Sequence, residues 1–289
     1  MLLKKRNIIF SMFISSVLLI VICSRFRQNH FISYIQHTDL TYILEALVMS
    51  FVSVPLLSSM VWQNLLLASR INVPFKDALA INSSIAVFKI LMPFYLGEFS
   101  RVVYLERHYG FSRKDGISIS FIYLALGFLS RFSWAIGAFL ILGLCKLKGL
   151  IFCSSMLPID FPGWLKRYGV PLPCFVKLWG LSVLSFSAQI MTFYLISCSL
   201  HLKIQIFDIL LCYPLIDLMA KASFCFKGFG AREGLIIFFF GSYGAPELLF
   251  LSGFISSFFI ELVSPMLGIV FLPSFFQVIF SGNRVYDKQ

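Results

Sequence analysis

The residues best placed to do chemistry are ionised side chains set among apolar neighbours, and they fall into two groups. The first is Pro93-Phe94-Tyr95-Leu96-Gly97-Glu98-Phe99-Ser100-Arg101, followed by Tyr104-Leu105-Glu106-Arg107. Glu98 and Arg101 stand three residues apart, so on a helix they share a face and can pair. Pro93 and Gly97 let a helix start or break just ahead of them, leaving backbone N–H groups to meet an anionic group. The second group is Gly228-Phe229-Gly230-Ala231-Arg232-Glu233-Gly234, a glycine-rich turn opening into Leu235 to Phe240. It lacks the full GxxxxGK[ST] pattern of a phosphate loop, so nucleotide binding is not expected. Gly97 and Gly230 instead suit a close backbone approach or a tight break between two half-helices, with a charged pair at the break. Arginine fits anion capture because its planar fork donates two parallel hydrogen bonds to phosphate and stays charged. Plainer readings stay open: Arg101 snorkels to a headgroup region while Glu98 caps a helix, and Arg232 and Glu233 sit in an ordinary loop.

Lys89 and Arg131 each interrupt a long apolar run, as do Asp217, Lys221 and Glu261. An ionised side chain at mid-bilayer costs at least about 2.5–3.5 kcal/mol on insertion scales, so such residues face a cavity or a partner. Asp217 and Lys221, four apart, are expected to neutralise one another. Glu45 and Glu247 fall near predicted ends and read as interfacial. His30, His37, His108 and His201 are far apart and show no HxxxH spacing, so no metal site is expected. Seven cysteines are scattered without a CxxC and read as inert packing residues. No cofactor is indicated.

The elements that must position these charges are read from the apolar pattern. Of 289 residues, 59% are hydrophobic and 13% charged, against about 25% charged in an ordinary globular domain. A hydrocarbon layer of about 30 Å takes about 20 helical residues to cross, and apolar runs of that order recur along the chain. The reading is an all-α, polytopic membrane bundle with about eight embedded segments, near 8–24, 43–68, 77–97, 117–145, 174–200, 206–226, 231–246 and 247–276. The region 146–173, with four prolines, reads as a loop with an interfacial piece. It joins two weakly similar halves, about 1–145 and 174–289, of one transmembrane domain.

The first run follows Lys4-Lys5-Arg6, has no small-residue cleavage site and reads as an uncleaved helix. Basic flanks mark the cytoplasmic side, which puts the N-terminus inside. Strict alternation would then carry Arg101, Arg107, Arg113 and Lys114 outside; a re-entrant segment broken near Pro93 and Gly97 returns them to the cytoplasm. The net charge of +11 is spread over short connecting segments, which argues against nucleic acid and for anionic lipid headgroups. Each half has a glycine-interrupted segment with an Arg and a Glu, the arrangement of an inverted-repeat transporter.

The chain resembles the transmembrane, flippase-type region of lysylphosphatidylglycerol synthases and the stand-alone membrane proteins grouped with it. The likeness rests on Trp62, on Leu91-Met92-Pro93-Phe94-Tyr95-Leu96-Gly97-Glu98-Phe99-Ser100-Arg101, on Tyr109-Gly110-Phe111-Ser112, on Arg131, and on Gly228 to Gly234 with Gly244 downstream. It departs from the family at Ser223-Phe224-Cys225-Phe226, where a proline is common, and at Ser133-Trp134, where an acid often follows. In the full synthase, aminoacylation belongs to a soluble domain that does not follow residue 289, so the expectation here is the other task, moving a lipid across the bilayer.

The resemblance thus implies a bacterial inner-membrane, translocase-like protein, not an enzyme, acting on a phospholipid or a polyprenyl-linked lipid. Arg101 and Arg232, helped by Lys89 and Arg131, would hold the anionic headgroup in a polar cavity between the halves, with Glu98 and Glu233 orienting the arginines. The alternative is a non-catalytic scaffold that docks a membrane-associated lipid- or glycan-modifying enzyme. An integral-membrane transferase would need a catalytic base or metal ligands, which the scattered histidines do not offer.

Overall fold

The computed structural model describes residues 36–91, 97–146, 171–222 and 230–281; within them every regular element is a helix and no strand occurs. The first predicted segment, 8–24, and the loop 146–173 with its interfacial piece lie outside the described residues, apart from a few positions at the loop's ends.

Helix α1 runs Leu40–Ala68. Asp39 caps it, its Oδ1 accepting the Thr41 N–H at 2.9 Å. Pro55 has no N–H to give to the ladder, and the helix widens into a π turn over Val52–Leu57. There the Ser53 and Ser185 hydroxyls each donate to the other's carbonyl, both at 2.9 Å, supplying polar partners where the ladder is interrupted. The helix closes in a Schellman turn: Ile71 N–H reaches Leu66 O at 2.9 Å and Arg70 takes φ 64°.

Helices α2 (Phe75–Leu91) and α3 (Gly97–Tyr109) follow, the second ending at Gly110 with φ 64°. Ser112 then caps α4 (Arg113–Lys146), its hydroxyl lying 3.2 Å from the Asp115 N–H and donating to the Asp115 carboxylate at 2.6 Å. Beyond the undescribed loop come α5 (Leu172–Ser199), α6 (Ile206–Ala222), α7 (Ala231–Phe240) and α8 (Pro246–Ser281), the last opening with proline at its first position.

Four of these helices, α1, α4, α5 and α8, are long and apolar enough to cross a membrane. At 1.5 Å per residue, the 13 residues of α3 and 10 of α7 reach only about 20 Å and 15 Å, short of a bilayer's hydrocarbon thickness. The surface is oily in keeping with this: Phe238 is 79% exposed and Val270 73%. A water-soluble monomer seldom carries apolar exposure on this scale. The chain is a multi-pass membrane protein.

By its contacts the chain divides into two compact units, one of Met1–Phe51 with Ser187–Leu262, the other of Val52–Phe186 with Val263–Gln289. In the second, Trp62, Leu65 and Leu66 of α1 pack with Leu105 of α3, Ile122 and Leu126 of α4 and Leu178 of α5. Tyr104 stacks on Phe275, ring centroids 4.8 Å apart. In the first, Phe193 stacks on Tyr213 at 5.0 Å and lies against Phe240 at 5.8 Å, tying α5, α6 and α7 together.

Candidate functional site

Helix α2 ends at Leu91 and α3 starts at Gly97. The predicted break near Pro93 falls at residues 92–96, which lie outside the described residues. Lys89 meets Glu98 and Asn82 meets Arg101. These pairings run in opposite senses along the two helices, so α2 and α3 form an antiparallel hairpin.

Glu98 sits in the first turn of α3, where the N-terminal dipole favours a negative charge. One carboxylate oxygen pairs with the Lys89 ammonium; the other lies 3.0 Å from Nη1 of Arg101. Arg101 donates from Nη2 to Asn82 Oδ1 at 2.9 Å. Its guanidinium lies against two rings set roughly at right angles, 4.1 Å from the centre of Trp62 and 4.3 Å from that of Tyr123. Arg101 is fully buried, whereas the Lys89 side chain keeps 29% of its exposure. The Arg101 Nε and the Trp62 indole N–H are buried and meet no acceptor among the described residues. With Lys89 the cluster sets two cations against one carboxylate, the electrostatic sense suited to an anion.

In the other unit, Gly230 takes φ 83°, a conformation a side chain would strain, and leads into α7. Its N–H donates to Glu233 Oε2 at 2.6 Å. The carboxylate of Glu233 therefore caps its own helix. Glu233 Oε1 accepts from the Ser257 hydroxyl at 3.0 Å, and Ser257 in turn accepts from Arg232 Nη1 at 3.0 Å. Arg232 Nη2 donates to Asp217 Oδ1 at 2.9 Å, while Asp217 Oδ2 takes Lys221 at 2.8 Å. The expected Asp217–Lys221 pair is present, and Asp217 serves Arg232 as well. Glu261 follows one turn after Ser257 on α8, close enough for its charge to act on Arg232.

The sequence-named candidates fall in both units, each with partners inside its own unit. Lys89, Glu98 and Arg101 come together at the α2–α3 hairpin, with Gly97 at the start of α3. Arg232 and Glu233, with Gly230 as the turn, form a network of their own with Asp217, Lys221 and Ser257. Arg131 does something different: it folds back along α4 to donate from Nη1 to the Gly127 carbonyl at 2.5 Å, with its guanidinium 4.8 Å from the centre of the Phe186 ring.

Asn82, Tyr123 and Ser257 are members that reasoning from sequence did not name as site residues. Asn82 and Ser257 are polar residues one or two turns from a charge in an apolar helix, a weak signal that many serines of this chain share. Among the described residues no three His, Cys, Asp or Glu side chains are gathered as metal ligands.

The model of the lysylphosphatidylglycerol synthase TM region matches residues 8–159, just over half of the chain. The match takes in the α2–α3 hairpin and ends before the Gly230–Glu233 network. No curated protein matches the chain. With a helical membrane architecture and a matching region that includes the Glu98–Arg101 hairpin, this chain belongs to the lysylphosphatidylglycerol synthase TM region family.

Proposed function

We propose that the chain is a translocase-like protein of a bacterial inner membrane, non-enzymatic, which passes the anionic headgroup of a phospholipid or polyprenyl-linked lipid across the bilayer while the acyl or prenyl tails stay in it. The observation that carries this reading is the Lys89–Glu98–Arg101 cluster: two cations and one carboxylate gathered where α2 meets α3, with Glu98 and Arg101 buried. Charge kept inside a membrane protein at several kcal/mol per group marks a path or a ligand far more often than a packing need. Family membership adds that the chain is related to proteins concerned with lipid modification or transport.

On this reading about eight segments are embedded, with α2–α3 and α6–α7 as re-entrant hairpins that dip and return, and the N-terminus is cytoplasmic. Broken helices of that kind are tolerated where protein or water lines them.

The test is reconstitution into proteoliposomes with labelled anionic phospholipids and polyprenyl phosphates, following access of the headgroup to an impermeant quencher. Accelerated movement of an anionic lipid that is lost in Arg101→Ala supports the reading. Well-folded protein that accelerates none of these lipids overturns it and favours a scaffold for a lipid- or glycan-modifying enzyme.

A further inference from the structure

Lys89 and Arg101 hold the same carboxylate from opposite sides and differ in access. Arg101 lies against the Trp62 and Tyr123 rings, has its Nη atoms on Asn82 and Glu98, and shows no exposed side-chain surface. A headgroup could reach it only by displacing these neighbours. Lys89 stands on the last turn of α2 with 29% of its side chain open and one described partner, Glu98.

We propose that Lys89 is the group that meets the headgroup, by exchanging the Glu98 carboxylate for a phosphodiester oxygen, and that Arg101 is a positioning residue that keeps Glu98 in place during the exchange. This rests on the reading that the site takes an anionic headgroup. The charges agree with it. Lys89, Glu98 and Arg101 sum to +1, and the sequence from 92 to 96 holds no charged residue. One phosphodiester, carrying a single negative charge, brings the cluster to zero. Glu98 retains Arg101 throughout, so no buried charge is left alone, which is the costly outcome in a low-dielectric site. An ammonium suits this exchange because it is a compact charge with freely turning donors on a flexible stem, whereas the guanidinium of Arg101 is fixed by its rings.

The same asymmetry makes the idea testable without losing the fold. In Lys89→Met, Glu98 and Arg101 still neutralise each other. The purified full chain in detergent is titrated with dihexanoyl phosphatidylglycerol, and with dihexanoyl phosphatidylcholine as the zwitterionic control, reading the rise in melting temperature. The expected result is a rise with phosphatidylglycerol for wild type and Lys89→Arg, and for Lys89→Met an unchanged melting temperature without lipid but an apparent affinity weaker by about tenfold or more, the usual worth of a charge-assisted hydrogen bond. Equal affinity in wild type and Lys89→Met overturns the proposal, as does a response to either lipid that does not depend on Lys89.

The same preparations are then reconstituted to follow lipid movement. Lys89-dependent binding without movement leaves the assignment of Lys89 standing and removes the translocase reading. Movement of anionic lipid by wild type and Lys89→Met alike keeps translocation and removes Lys89 from it.

Discussion

The guanidinium carbon of Arg101 lies 4.1 Å from the centre of the Trp62 ring, and both side chains are fully buried. Tyr123 lies on an adjacent side, 4.3 Å from the same carbon, and meets the Trp62 ring edge-on at 5.5 Å. The two aromatic faces stand in for the water that the guanidinium gives up on burial. Trp62→Ala should therefore lose both the ring volume and one face of this clamp, a cost of about 3–5 kcal/mol. Trp62→Phe keeps a weaker ring face and should cost about 1–2 kcal/mol. Thermal unfolding in detergent reads both; a Trp62→Ala protein that melts like wild type would remove the clamp from the account of why Arg101 is fixed.

Asp217 is the carboxylate on which Arg232 and Lys221 converge, one oxygen to each. Asp217→Asn leaves Arg232 buried without its counter-charge, and breaking a buried pair from one side costs about 3–5 kcal/mol. Lys221, with 20% of its side chain exposed, can turn outward, so Lys221→Met should cost about 1 kcal/mol or less. The order of the two, measured by melting temperature and by membrane abundance, is the prediction; a Lys221 variant that harms the protein more than Asp217→Asn contradicts the arrangement described. Adding Arg232→Met to Asp217→Asn should recover part of the loss, because both buried charges go together.

What the sequence made legible was what helical periodicity carries. Glu98 and Arg101 at three residues apart, and Asp217 and Lys221 at four, pair as their spacing says. The start of α3 at Gly97 follows from glycine and proline ahead of a charged turn. Contacts between helices have no such period. Asn82 lies 19 residues before Arg101 and Tyr123 comes from α4, so nothing in the local pattern points to either. Asp217 was read as Lys221's partner alone, because its second oxygen meets a residue on the far side of a break. Arg131 shows the same limit: nothing in the apolar run around it says that its guanidinium meets the Gly127 carbonyl one turn earlier and the Phe186 ring of another helix.

Close packing around the hairpin gives a second kind of prediction. A Cβ built on Gly268 of α8 would stand 2.1 Å from the Ser83 carbonyl oxygen of α2, a backbone atom that cannot swing aside. Gly268→Ala must push the two helices apart, and overpacking of this kind costs about 1–3 kcal/mol or more. Gly180 in α5 has nothing within 4 Å of the same position. There alanine lowers the conformational entropy of the unfolded chain without a clash, a gain of about 0.5–1 kcal/mol. Opposite signs for the two substitutions in one unfolding assay are expected; equal effects would mean that α2 and α8 do not approach as described.

The turn between α7 and α8 carries a pH effect outside the long apolar helices. Tyr243 donates its hydroxyl to Asp208 Oδ2 at 2.5 Å, joining that turn to the first turn of α6. This hydrogen bond to the carboxylate holds the phenol above its ordinary value of 10.0, because ionising it would both lose the donor and set two negative charges side by side. A group whose folded pKa is raised contributes stability that is complete below its unfolded pKa and is lost as pH rises through the folded one. Wild-type protein should therefore lose melting temperature above pH about 10 more steeply than Tyr243→Phe, which has no phenol to ionise and starts slightly lower at neutral pH. Parallel melting curves from pH 8 to 11 for the two proteins would show that the Tyr243–Asp208 bond does not anchor this turn.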